Sequence, residues 1–189
     1  MAHSLADAIH KACQTFQSLA AQQAIFDQLV AAAVTTLRSG GKILTCGNGG
    51  SAADALHLAE ELVGRFARDR HPLPALALNA DPTLLTCIGN DYGFEHVFAR
   101  QVTALAEPRD LLVVFSSSGN SPNIVHALKA ARERGCRSVA LLGKTGGAAR
   151  GLADIEWIVA GTDTARIQEA HTFILHSLLE AIERELGLG

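Results

Sequence analysis

The chain has 189 residues, of which 48% are hydrophobic and 19% charged, with a formal net charge of -3. That length buries roughly 70% of the unfolded surface in a folded core and favours one domain. The charge gives no general attraction to nucleic acid or anionic membranes, so an anionic ligand must be held by local features.

Cys13, Cys46, Cys87 and Cys136 are scattered, with no CxxC pair. They are expected to be free thiols in a reducing cytoplasm rather than a disulfide framework or zinc ribbon. The N-terminus lacks the charged and apolar regions of a signal peptide. No apolar run reaches the roughly 18 residues needed to span a bilayer.

Residues 3–38 carry helical periodicity, first through Leu5, Ile9, Ala12, Phe16 and Leu19, then through Phe26, Leu29, Val30, Ala33 and Leu37. Gly40-Gly41 ends the pattern. The two-sided apolar character of this segment suits a subunit interface. Short apolar runs follow at 42–46, 74–78, 110–115, 137–142 and 155–159, with helical segments at 51–66, 121–134 and 164–186. This alternation predicts a parallel sheet covered by helices on both faces. Gly143–Gly151, GKTGGAARG, reads as a loose surface loop.

Two strand–turn–helix junctions carry the chemistry. After the first run comes Gly47-Asn-Gly-Gly-Ser51. Glycines admit close backbone approach and positive φ, and a helix start presents free N–H groups to an anion or a polyol. The sequence fits neither the dinucleotide fingerprint nor the Walker A motif. A tight turn capped by Ser51 explains it equally well. After the third run comes Ser116-Ser-Ser-Gly-Asn-Ser-Pro-Asn123. Four hydroxyls and a helix start can surround a phosphate without any cation, and they exceed what a cap needs.

On the helix after the glycine turn, His57 and Glu61 are four apart and share one face. Such a pair binds a metal or forms a surface ion pair. Glu60 is turned about 100° away, toward solvent or a neighbour. On the last helix Gln168 and His176 lie about 80° apart around the axis, so both can address one pocket. His171, about 140° from His176, reads as a packing residue. If the two helices meet, His57, Glu61, Gln168 and His176 can form a four-ligand site.

CGNGGSAADALHLAEELVGRF, IGNDYGF, SSSGNSPNI and ARIQEAHTFILH, in that order, resemble the phosphoheptose (sedoheptulose 7-phosphate) isomerases, members of the sugar isomerase (SIS) domain family. The resemblance runs from about residue 42 to 180. It implies an α/β fold of SIS type: a three-layer sandwich with a five-stranded parallel sheet between helices and an N-terminal helical extension. One domain would span 1–189, with interface helices at 1–39 and an α/β core at 40–189. It further implies a cytoplasmic homotetramer with active sites near subunit interfaces. The implied reaction turns D-sedoheptulose 7-phosphate into D-glycero-D-manno-heptose 7-phosphate, a step toward lipopolysaccharide core or other surface glycans.

Carried over motif by motif, one Zn²⁺ per subunit would be bound by His57, Glu61, Gln168 and His176. Glu61 and His176 would be catalytic. Asn48, Gly49, Gly50, Ser51, Arg65, Asn90, Asp91, Ser116, Ser117, Ser118, Ser121 and Gln168 would line the substrate. Some members carry Asp where this chain has Ala165, so that residue's role is not transferred. A related SIS protein binds the replication initiator DnaA without catalysis, but it lacks the Glu and His found here at 61 and 176. An isomerase of another phosphosugar is the remaining alternative. Neither nucleic acid nor membrane is an expected partner.

Overall fold

A computed structural model describes residues 4–161 and 163–188. Five parallel strands form one sheet: β1 (Ile43–Gly47), β2 (Ala75–Ala77), β3 (Leu111–Ser116), β4 (Arg137–Gly143) and β5 (Ile155–Val159). Their spatial order is β2-β1-β3-β4-β5. The architecture is the expected α/β sandwich.

The strands are apolar on both faces because helices cover both. Ile43, Leu111, Val113, Phe115, Val139, Leu141 and Trp157 point to one face, and Leu44, Cys46, Leu112, Val114, Ala140 and Leu142 point to the other. This alternation follows from the two-residue side-chain period of a strand. The first face packs against α1 (Leu5–Ala20), α2 (Gln23–Arg38), α3 (Gly50–Val63) and α7 (Thr164–Glu185). The second packs against α4 (Pro82–Tyr92), α5 (Ala99–Leu105) and α6 (Pro122–Glu133).

The segment 79–106 holds two helices, α4 and α5, that the apolar pattern does not announce. Asp81 caps α4 by accepting from the N–H groups of Thr83 and Leu84 at 2.8 and 3.1 Å, and Pro82 pre-sets its first turn. Ile88 is its one buried residue, so its hydrophobic stripe is short. Gly143–Gly151 is also more ordered than a loose loop. Gly146 and Ala149 are buried, and the Ala149 N–H donates to the Gly119 carbonyl at 2.9 Å.

Chain direction reverses at β1. The chain leaves it for the edge strand β2, then crosses back to β3 on the other side. The carboxyl ends of β1 and β3 therefore flank the switch point where ligands of open parallel sheets bind. The glycine turn follows β1 and the serine turn follows β3.

His171 is a core residue, as its spacing suggests. It is fully buried, its Nε2 lies 3.2 Å from the Leu142 carbonyl, and its ring packs edge-on against Phe115. Burial lowers its pKa from 6.5 to about 4. The unfolded chain therefore binds a proton that the folded one refuses between those values. Stability is full above pH 6.5 and falls as pH drops toward 4. Denaturant titrations between pH 7 and 4 should show a loss of about 3 kcal/mol from this group. His171→Leu should flatten that part of the profile, and an unchanged profile would remove His171 as its source.

Candidate active site

The site is built on two parallel helices in register. At the first level, Gly50 of α3 faces Gln168 of α7; a Cβ on Gly50 would lie 2.4 Å from Gln168 Nε2. One turn on, the Thr172 hydroxyl donates to Asp54 Oδ1 at 2.8 Å. At the next turn the rings of His57 and His176 meet edge to face, with centroids 5.0 Å apart. Phe66 stacks on the other side of His176 at 5.7 Å. His57 Nε2 lies 3.3 Å from Glu61 Oε1, and both side chains are partly buried.

A buried ion pair closes the ladder. Arg70 Nε donates to Glu183 Oε1 of α7 at 2.7 Å, with both side chains at most 5% exposed. The same guanidinium donates to the carbonyls of Glu61 and Leu62 at 2.8 and 3.0 Å. It thus satisfies carbonyls that the end of α3 leaves without helical partners and fixes the backbone that carries Glu61.

His57, Glu60 and Glu61 each offer a ligand atom within 4.8 Å of the others, a cluster able to hold a metal ion. Glu60 is exposed, as its direction predicts, yet its carboxylate reaches the group. The donor set fits zinc, because an imidazole nitrogen and carboxylate oxygens of one helix converge. The structure brings His57, Glu61 and His176 together. It places Gln168 two turns earlier on α7, against the glycine turn.

The two ligand turns are tied to each other. Asn48 Nδ2 donates to Asn123 Oδ1 at 2.8 Å, and Asn123 Nδ2 returns the bond to Asn48 Oδ1 at 2.9 Å. Asn79 is paired in the same reciprocal way with the backbone of Gly47. Gly49 holds the turn with φ +57° and is the N-cap of α3. Ser51 therefore lies inside the helix, buried, and is not its cap.

In the serine turn, Ser116 Oγ accepts from the Gly119 N–H at 3.0 Å and Ser118 Oγ from the Asn120 N–H at 3.2 Å. Ser121 stands at the N-cap of α6 without a side-chain capping bond. Ser117 is half-buried in the same turn. Capping thus does not account for the serines. Gly119, at φ +65°, presses so closely on the Gly146 carbonyl that a Cβ would sit 1.9 Å from it. The segment 143–151 therefore buttresses this turn.

Arg65 is exposed just past α3. Asn90 and Asp91 are exposed at the end of α4 and hydrogen-bond to each other at 2.8 Å. No hydrogen bond among the described residues joins these three to the ladder.

Sequence reasoning missed Asp54, Asn79, Asn123 and the Arg70–Glu183 pair. For Asp54 a signal existed, since a carboxylate three residues before His57 falls on the same helix face. Asp54 is 6% exposed. Burial raises its pKa, against the pull of the Thr172 hydrogen bond and the charge of His57. Asn123 stands in the serine turn already singled out, but nothing local marks its pairing with Asn48, and Glu183 carries no pattern that separates it from a surface polar residue. The four described clefts, of about 320 to 490 Å³, are lined by none of the ladder's polar residues.

The model of the SIS domain matches residues 6–143, and the chain belongs to that family. A phosphoheptose isomerase from Geobacter sp. (strain M21) is 52% identical over 162 residues, covering 86% of this chain and 84% of that protein. Two solved structures overlay nearly the whole chain. One is a phosphoheptose isomerase from Francisella tularensis, with TM-score 0.92 and 37% identity, covering 95% of this chain and 96% of that one. The other is a phosphoheptose isomerase from Neisseria gonorrhoeae, with TM-score 0.84 and 41% identity, covering 95% and 94%. Within the SIS-domain family the chain belongs to the phosphoheptose isomerases, and it is a sugar-phosphate isomerase.

Removing one partner of the ion pair leaves the other charge buried. Glu183→Ala should cost about 3–5 kcal/mol, read as a lowered midpoint in urea. A midpoint within error of the parent would show that the pair does not hold α3 to α7.

Proposed function

We propose that the chain converts D-sedoheptulose 7-phosphate to D-glycero-D-manno-heptose 7-phosphate through an enediol. The observation that carries this reading is the meeting of His57, Glu61 and His176 on α3 and α7, beside a turn suited to a polyol. The identity to named phosphoheptose isomerases supports the substrate.

In this reading the serine turn takes the phosphate. Ser116, Ser117, Ser118 and Ser121 and the first N–H groups of α6 surround it. Asn48, Gly49, Gly50, Ser51 and Gln168 address the sugar hydroxyls, with Arg65, Asn90 and Asp91 at the rim. This remote binding holds the reacting carbons in place. Glu61 removes the C1 proton of the ketose, and the electron pair forms the C1–C2 double bond of the enediol. A proton is delivered to C2 as the C1 carbonyl forms. His176 handles the proton exchanged between O1 and O2. Zn²⁺ held by His57, Glu61 and His176 would polarise the substrate carbonyl as a Lewis acid, and Gln168 would join as fourth ligand by turning its amide from Gly50 toward that level. A carboxylate bound to the ion would be a weaker base, so either Glu61 would be free of the ion when it acts on carbon or the ion would be structural.

The product would supply the heptose of lipopolysaccharide core or another surface glycan, made in the cytoplasm. Among the described residues no helix is long and apolar enough to cross a membrane. The chain would act as one domain and assemble as a homotetramer through its N-terminal helices. Leu5 and Ile9 of α1 are 78% and 55% exposed, and Phe173 of α7, whose ring lies 5.3 Å from that of Phe16 in α1, is 51% exposed; apolar surface of that kind favours burial against a second copy.

Purified protein incubated with sedoheptulose 7-phosphate should form the aldose by NMR, with turnover responding to added Zn²⁺ and to chelator. Glu61→Gln should lower kcat at least about 10³-fold while substrate still binds, since general-base loss is worth that order. Turnover like that of the parent would remove Glu61 from the mechanism. Ser118→Ala should raise KM several-fold with a smaller change in kcat, and an unchanged KM would argue against a phosphate there.

A further inference from the structure

We infer that the groove between α5 and α6 is a second anion site, one that takes a phosphate or diphosphate group, free or carried on a small organic molecule. It lies apart from the ladder. Helices α5 and α6 cover one face of the sheet, and α3 and α7 cover the other.

Two side-chain stripes build the groove. Arg100 and Ala104 are four apart on α5, and His96 stands four residues earlier in the short turn that leads into it. On α6, His126, Lys129 and Glu133 recur at three and four residues and so share one face. Ala99, Ala104 and Ala130 are small, and the cavity between the stripes measures about 490 Å³, a size that suits a small ligand. Arg134 ties the far end of the groove, where its Nε and Nη2 donate to the Ala106 carbonyl at 3.2 and 3.1 Å.

The charge points to an anion. Four basic side chains, His96, Arg100, His126 and Lys129, share the groove with one acid, Glu133. The whole chain carries a net charge of -3, so this excess is local. Arg100, Lys129 and Glu133 have no ion-pair partner among the described residues. The Arg100 guanidinium lies over the Tyr92 ring, 3.7 Å from its centre. That contact restrains the side chain and leaves its N–H edge free to meet phosphate oxygens. The rings of His96 and His126 stand 5.0 Å apart, tilted by 33°. His126 Nδ1 is buried and has no hydrogen-bond partner, so the protein alone leaves that ring's bonding incomplete. Two imidazoles also suit a metal ion, but Arg100 and Lys129 in the same groove oppose a cation.

Histidine NMR on the full-length, metal-free protein tests the site. The ring signals of His96 and His126 are assigned by their loss in His96→Gln and His126→Gln. Titration with pyrophosphate should shift both signals saturably, while sodium chloride at matched ionic strength leaves them in place. Arg100→Gln combined with Lys129→Gln should weaken binding at least about tenfold, the worth of one charge-assisted hydrogen bond. Both side chains are exposed, so the fold tolerates the change. Ser118→Ala, in the serine turn, should leave the response as it is, which separates this site from the proposed phosphate cradle. Glycerol 3-phosphate in place of pyrophosphate distinguishes an esterified ligand from a free one by which binds more tightly, and saturable binding of either supports the site. Equal shifts in chloride would show general screening and overturn the inference. So would a response unchanged in the double variant, or one given by Zn²⁺ and by neither phosphate.

Discussion

The site depends on the docking of α3 against α7. In the proposed reaction each helix brings part of the chemistry. His57 and Glu61 come from α3, and Gln168 and His176 from α7. Parallel neighbours in register repeat their contacts about every turn, and here each level is a different device. Gly50 admits the amide of Gln168, the Thr172–Asp54 bond joins the interior, and the rings of His57 and His176 meet at the next level. The Arg70–Glu183 pair then locks the far end. A buried ion pair is weak evidence for net stability, because desolvation offsets its attraction. Its value here is geometric. Its hydrogen bonds run to the carbonyls of Glu61 and Leu62, so it fixes the last turn of α3.

This arrangement explains which parts of the molecule could be read from sequence. The strand runs were legible because buried parallel strands are apolar on both faces. The observed strands fall within a residue or two of the expected ones, and Ile155–Val159 coincides. Helices α3, α6 and α7 were legible through their turns and periodicity. Helix α4 was not, because it buries a single residue and contains Gly89 and Asn90, which read as turn signals. The edge strand β2 was legible too, and at three residues it is one residue shorter at each end than its apolar run.

The site was legible at a coarser level. Periodicity alone put His57 beside Glu61, and it put Gln168 and His176 on neighbouring faces of α7. It could not show that the level of His176 is two turns beyond that of Gln168, because angle around a helix carries no information about which partner lies at each height. The residues that join elements were invisible for a related reason. Asn48 and Asn123 are 75 positions apart, and Arg70 and Glu183 are 113 apart. A single sequence holds no local pattern for such pairs. Their importance comes from burial, and burial is a property of the fold.

The switch-point position of the two ligand turns constrains the substrate. The glycine turn follows β1 and the serine turn follows β3, and these are adjacent strands hydrogen-bonded along their whole paired length. Adjacent strands lie about 4.8 Å apart, and the reciprocal Asn48–Asn123 bridge fixes the turns beyond their ends. The distance between the proposed phosphate cradle and the reacting level on α3 is therefore set by the sheet and cannot adapt to the ligand. In such a frame discrimination by chain length appears in the chemical step, because remote binding energy assists catalysis when the reacting carbons arrive together with the phosphate. The pairing of β1 with β3 and the Asn48–Asn123 bridge thus hold the two turns around one crevice.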